Sequence, residues 1–106
     1  MPEVATWIRA NAAGGTPVLV AYPLSFDWAW LYWYFVRFAG SSPFNHSRCF
    51  DLKTAIAVRG RRPIIESGHD RLPAALRSSR PHTHRALDDA IEQADMLARW
   101  FDWDGT

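Results

Sequence analysis

A histidine and an aspartate five positions apart, His84 and Asp89, lie in "HTHRALDDA", where the pattern predicts the beginning of a helix. Histidine has an ordinary pKa of about 6.5, so it can accept a proton from water near neutral pH. An aspartate in the first helical turn can reach the same cleft and hold a divalent cation. The spacing predicts general-base and metal-binding chemistry, although acids in a first turn, Asp88 included, also commonly serve only the helix dipole.

A second acid, Asp27, follows a short apolar segment and lies near the beginning of a long apolar helix. In α/β proteins, ligand-binding groups lie where a strand passes into a helix. Asp27 is therefore a candidate ligand, with capping of the helix as the simpler alternative.

The first half of the chain predicts helix, strand and helix. Residues 2–12 are amphipathic, and residues 16–22, "TPVLVAY", form a β-branched apolar run that favours a buried strand. The next segment, "PLSFDWAWLYWYFVRFAG", opens with Ser25 and Asp27 as capping candidates and closes at Gly40. Because it is apolar almost all round, this helix is expected to be enclosed on more than one side.

The second half predicts a loop over residues 41–50, a short helix in "FDLKTAIAV", an irregular basic stretch and one helical turn in "PAALRS". A strong amphipathic helix is predicted from Thr83 to about Trp100. Its expected core-facing stripe consists of Leu87, Ala90, Ile91, Ala94, Leu97 and Ala98. Only one strand stands out, and since a strand needs hydrogen-bonded partners, part of a sheet is missing.

Two motifs in this order resemble the DEDDh family of 3′–5′ exonucleases, the proofreading and ribonuclease T type with an RNase H-like fold. His84, Ala86 and Asp89 match His-x-Ala-x-x-Asp, and Phe26 with Asp27 matches a Phe-Asp pair after a central strand. The resemblance covers about residues 16–100 and implies an α/β, partial RNase H-like fold over a single domain, residues 1–106.

The resemblance implies hydrolysis of phosphodiesters at nucleic-acid 3′ ends by two Mg²⁺ or Mn²⁺ ions. Asp27 and Asp89 would bind metal, and His84 would orient or deprotonate the attacking water. The family's Asp-x-Glu motif is absent, because no aspartate here has a glutamate two positions later. The opening three-stranded meander is missing with it, so the fragment is expected to be weakly active or inactive.

The arginines are concentrated in one region: seven of eleven fall between Arg59 and Arg85, and six of the eleven acids lie from Asp88 onward. Such a basic segment could grip a phosphate backbone or be only a solvated surface. Arg80, Arg85 and Arg62 are the candidate contacts to a single-stranded nucleic-acid 3′ end. Whether RNA or DNA binds is left open by the sequence.

Cys49 is the single cysteine, which favours a reducing, cytoplasmic location, and the N-terminus has no secretory signal pattern. No apolar run is long enough to span a bilayer, so no membrane partner is expected. A zinc site from His46, Cys49, His82 and His84 has little support from spacing, and His69 is expected to face solvent.

The missing strands should uncover the apolar helix at residues 28–38. Self-association, or a partner that covers this surface, is therefore expected. The alternative function is a non-catalytic module of the same fold that binds nucleic acid or depends on a partner.

Overall fold

Two short strands pair in parallel to form the sheet. In β1 (Leu19–Ala21) and β2 (Cys49–Asp51), Leu19 is opposite Cys49 and Ala21 is opposite Asp51. Parallel strands need a long crossover, which the helix between them supplies. The second strand corrects the predicted loop over residues 41–50. A three-residue strand is too short to produce a periodic pattern, and its Phe-Asp pair looked like the beginning of the next helix.

The computed structural model describes all 106 residues and shows an α/β protein with four α-helices and this sheet. The chain divides into two compact units, residues 1–51 and residues 52–106. None of the helices combines the length and apolar character needed to cross a membrane.

The first unit contains α1 (Pro2–Asn11), the sheet and α2 (Leu24–Ala39). Both helices and β1 agree with the predicted elements, and Gly40 ends α2 with a left-handed φ of 80°. Ser25 and Asp27 do not cap α2, because the helix begins earlier, and Pro23 at its N-cap has no capping side chain. Instead the backbone amide of Leu24 donates to Asp51 Oδ1 at 3.1 Å, so a β2 side chain satisfies the first turn.

The faces of α2 differ sharply in burial. Phe35 is fully buried, whereas several large apolar side chains of the same helix are exposed, namely Phe26, Trp30, Tyr32, Trp33, Tyr34, Val36 and Phe38. The expectation that α2 is enclosed on more than one side was therefore wrong. The exposed side chains agree instead with the expectation that this apolar helix is left uncovered.

The second unit contains α3 (Leu52–Gly60), three 3-10 turns and α4 (Ala86–Asp102). The turns comprise Ile64–Glu66, His69–Arg71 and Ala74–Leu76, the last being the turn predicted in "PAALRS". Its buried apolar side chains are Leu52, Ile56, Ala57, Leu72, Leu76, Met96 and Trp103. Helix α4 begins later than predicted because His84 has a left-handed φ of 61°, which a helix does not accommodate.

The buried face of α4 is not the predicted apolar stripe. Glu92 and Met96 are buried, whereas Leu87 is 72% exposed and Ile91 is also exposed. Leu87 and Met96 are nine residues apart, about two and a half turns, so they lie on opposite sides of the helix. The inner face of α4 therefore carries the acid Glu92. The residues that Glu92 contacts explain its burial.

Candidate metal-binding site

Three polar side chains from separate segments of the second unit meet at the inner face of α4. His69 lies in a 3-10 turn, His82 in the loop before α4, and Glu92 in the second turn of that helix. Their ligand atoms lie within 4.8 Å of one another, so the three residues could hold a metal ion.

Each imidazole contacts a different oxygen of the Glu92 carboxylate. His69 Nε2 lies 2.5 Å from Oε1, and His82 Nδ1 lies 2.6 Å from Oε2. The Glu92 side chain is only 6% exposed, whereas those of His69 and His82 are 44% and 35% exposed. The carboxylate is thus shielded from water, and the imidazoles lie between it and solvent.

These contacts shift the pKa values of Glu92 and His82 in opposite directions. Burial alone raises the pKa of Glu92, but hydrogen bonds from His69 and His82 outweigh it and hold the pKa below its ordinary value. The hydrogen bond to Glu92 raises the pKa of His82 above its ordinary value, against a smaller opposing effect of desolvation. Without a metal, the site therefore favours a carboxylate paired with an imidazolium.

The sequence-predicted His84 joins this cluster through His82. The rings of His69 and His82 stack with centroids 4.1 Å apart, and the His84 ring meets His82 edge-on at 4.6 Å. His84 itself is exposed and precedes α4 rather than lying inside it.

The sequence-predicted Asp89 also lies beside His82. Its Oδ1 is 3.6 Å from His82 Nδ1, and this oxygen is buried without a hydrogen-bond partner. The neighbouring Asp88 differs, because its carboxylate accepts a 2.7 Å hydrogen bond from the Thr83 hydroxyl. Asp88 thus tethers the loop before the helix, whereas Asp89 Oδ1 lies beside the His82 imidazole without a hydrogen bond.

The third predicted site residue, Asp27, lies half-buried in the first turn of α2. It belongs to the first unit, whereas His84 and Asp89 belong to the second. Convergence of Asp27 with those two residues stays a prediction.

A pocket of about 250 Å³ lies beside the cluster and is lined by His69, Asp70, Leu72, Arg77, Ser78, Arg80, His82 and Glu92. Of the predicted nucleic-acid contacts, Arg80 therefore faces the candidate site. Arg85 is exposed immediately before α4, and Arg62 donates to the Arg71 carbonyl at 3.1 Å. Cationic side chains in a pocket beside the candidate metal site are suited to an anionic ligand.

Sequence reasoning missed both His69 and Glu92 as site residues. The His69 ring is partly exposed, as expected, but it also binds Glu92, so describing it as a solvent-facing loop residue was incomplete. A zinc site that included Cys49 had little support from residue spacing. In the structure, the Cys49 thiol donates to the Asn45 carbonyl at 3.2 Å, and Cys49 lies in the first unit. No short spacing motif links His69, His82 and Glu92, which only the fold brings together.

Comparisons with protein families, with characterised proteins and with solved structures find no match to this chain.

Proposed function

We propose that this chain is a 3′–5′ exonuclease-like domain of partial RNase H-like fold that hydrolyses phosphodiesters at nucleic-acid 3′ ends. The observation that carries the proposal is the buried, hydrogen-bond-free Oδ1 of Asp89, in the first turn of α4. A buried carboxylate oxygen without a hydrogen-bond donor is stabilised by nearby positive charge, which the His82 imidazole at 3.6 Å supplies in part and a divalent ion would complete. The nearby exposed His84 supplies the base that a hydrolase needs.

The order of elements supports the same proposal. Parallel strands joined by α2, with Asp27 at its beginning, precede the helix that carries Asp89. In an α/β protein, this arrangement places one acid after a strand and another on a later helix. A partial RNase H-like topology would account for the positions of both Asp27 and Asp89.

Asp89 fits a ligand of Mg²⁺ or Mn²⁺, because both ions prefer carboxylate oxygens. Asp27 would supply a second carboxylate, and the ions would stabilise the charge that develops on the phosphodiester. His84 would orient or deprotonate the attacking water. Arg80, Arg85 and Arg62 would bind the phosphates of a single-stranded 3′ end. A cytoplasmic location is part of the proposal and is supported by the free thiol of Cys49.

The test is Mn²⁺-dependent release of labelled mononucleotides from single-stranded RNA and DNA labelled at the 3′-terminal nucleotide. Asp89→Ala should lower the release rate by at least about 100-fold, since the loss of even an outer-shell partner costs 10- to 100-fold. Asp102→Ala, which removes an exposed acid at the end of the same helix, is the matched control and should retain the rate. Equal release by wild-type protein and Asp89→Ala would contradict the proposal.

The absence of Asp-x-Glu from the 106 residues favours a second candidate, a module that binds nucleic acid without cleaving it. Fewer carboxylates leave a divalent ion less well compensated. Binding of a labelled oligonucleotide without mononucleotide release, at every Mn²⁺ concentration, would select this second function.

A further inference from the structure

The cluster of His69, His82 and Glu92 has a donor set unlike that of the carboxylate site proposed around Asp89. We propose that His69 Nε2, His82 Nδ1 and the Glu92 carboxylate bind one Zn²⁺ ion. This site is separate from the Mg²⁺ or Mn²⁺ site of the proposed nuclease and does not depend on that function.

The chemistry of the donors favours zinc over magnesium. Two imidazole nitrogens and one carboxylate are a common zinc ligand set, whereas Mg²⁺ prefers oxygen ligands and retains several waters. The three residues come from three segments of one compact unit, which keeps them close without a local spacing motif. The fold therefore assembles a nitrogen-rich site.

The geometry needs only a small adjustment to accept the ion. The nitrogen–oxygen distances of 2.5 and 2.6 Å are those of hydrogen bonds. Ligand atoms at about 2.0–2.1 Å from a tetrahedral zinc ion are roughly 3.3 Å apart. Each nitrogen would thus move away from the carboxylate by less than about 1 Å, and both rings are partly exposed.

Charge also favours a cation at this position. The Glu92 carboxylate is 6% exposed, and a buried anion is stable only with compensation. Zn²⁺ bound to both imidazoles and to one Glu92 oxygen would provide this compensation.

The arrangement leaves a coordination position open. Three protein ligands are one fewer than the four of a closed structural zinc site. The adjoining pocket of about 250 Å³, with Ser78 and Arg80 in its wall, gives solvent access to the cluster. The fourth ligand is therefore a water molecule, as in zinc sites that act on substrates.

The test is calorimetric titration of the metal-free full chain with Zn²⁺, with Co²⁺ absorption as a second readout of ligand geometry. Wild-type protein should bind one zinc ion per chain. His69→Gln and His82→Gln should each weaken binding at least about tenfold, the minimum loss expected even for an outer-shell partner. His46→Gln, which alters an exposed histidine of the first unit, is the control and should leave the affinity unchanged.

Asp89→Asn separates this site from the nuclease site, and it should change zinc affinity by less than about threefold. Circular dichroism checks that each variant folds; if His82→Gln does not, the more exposed His69→Gln decides. The proposal is overturned if the wild type binds no zinc at micromolar concentration or His69→Gln binds it equally well. A loss in Asp89→Asn as large as that in His69→Gln would overturn the separation of the two sites.

Discussion

His82 Nδ1 lies 2.6 Å from Glu92 Oε2, which joins the loop before α4 to the inner face of that helix. The carboxylate is buried, and its other oxygen contacts His69. One acid thus holds two histidines that are 13 positions apart in the chain. This contact explains why α4 buries a charged residue and why His84 and Asp89 lie beside the same imidazole.

The contact between His82 and Glu92 predicts a stability maximum in mildly acidic solution when metal is removed with a chelator. The raised pKa of His82 stabilises the fold below its ordinary value of 6.5, and this contribution is lost as pH rises through the folded-state pKa. The lowered pKa of Glu92 stabilises above its ordinary value of 4.5, and this contribution is lost as pH falls through its folded-state pKa. The free energy of unfolding, measured by urea denaturation across pH, should peak between these two values.

His82→Gln should remove the decline on the alkaline side, because glutamine does not titrate. His46→Gln is the control and should retain the wild-type profile. An identical alkaline decline in wild-type protein and His82→Gln would show that the contact does not control stability.

The burial of α4 predicts that two apolar truncations differ strongly in effect. Met96 is 1% exposed and Leu87 is 72% exposed. Met96→Ala should lower the free energy of unfolding by about 2–5 kcal/mol, because it leaves a cavity in the core. Leu87→Ala should change it by no more than about 0.5 kcal/mol. Thermal or urea unfolding measures both, and equal losses would contradict the assigned inner face.

The position of Arg80 in the pocket wall predicts a role in electrostatic binding of single-stranded nucleic acid. Affinity should fall as salt rises, because phosphate contacts release counterions. Arg80→Gln should reduce the slope of log K against log salt by about 0.7, the value for one phosphate contact with a single strand. Arg37→Gln, at the end of α2, should leave the slope unchanged. Fluorescence anisotropy measures both, and salt-independent binding would remove this role from the arginines.

The exposed aromatic face of α2 predicts self-association. Trp30 and Trp33 are 55% and 53% exposed, and burial of such large apolar surfaces between molecules is favourable. Sedimentation velocity at increasing concentration should show species larger than the 12.1 kDa chain. Trp30→Glu should shift the distribution toward monomer, whereas Phe101→Glu, at an exposed position in the second unit, should not. A wild-type protein that stays monomeric at high concentration would contradict this prediction.

Much of the secondary structure could be predicted from local patterns. The four helices, β1 and the end of α2 at Gly40 depend on residues close in the chain, whose periodicity and glycine chemistry are visible in the sequence. The position of Asp89 in the first turn of α4 was also predictable, whereas the helix was predicted from Thr83 and His84 instead precedes it. Their proposed roles with Asp27 stay predictions.

Contacts between distant residues could not be predicted in this way. Strand β2 is defined by pairing with β1, 30 positions earlier, rather than by its own three residues. Apolar character favoured a Leu87 stripe as the inner face of α4, but the structure buries Met96 and Glu92 instead. A buried carboxylate becomes acceptable only when donors such as His69 are supplied from elsewhere in the chain. The sequence by itself thus determined the helices and the His84–Asp89 spacing, whereas tertiary structure alone decided the sheet, the inner face of α4 and the His69–His82–Glu92 cluster. The reason is that these last features depend on contacts through space, which local spacing does not encode.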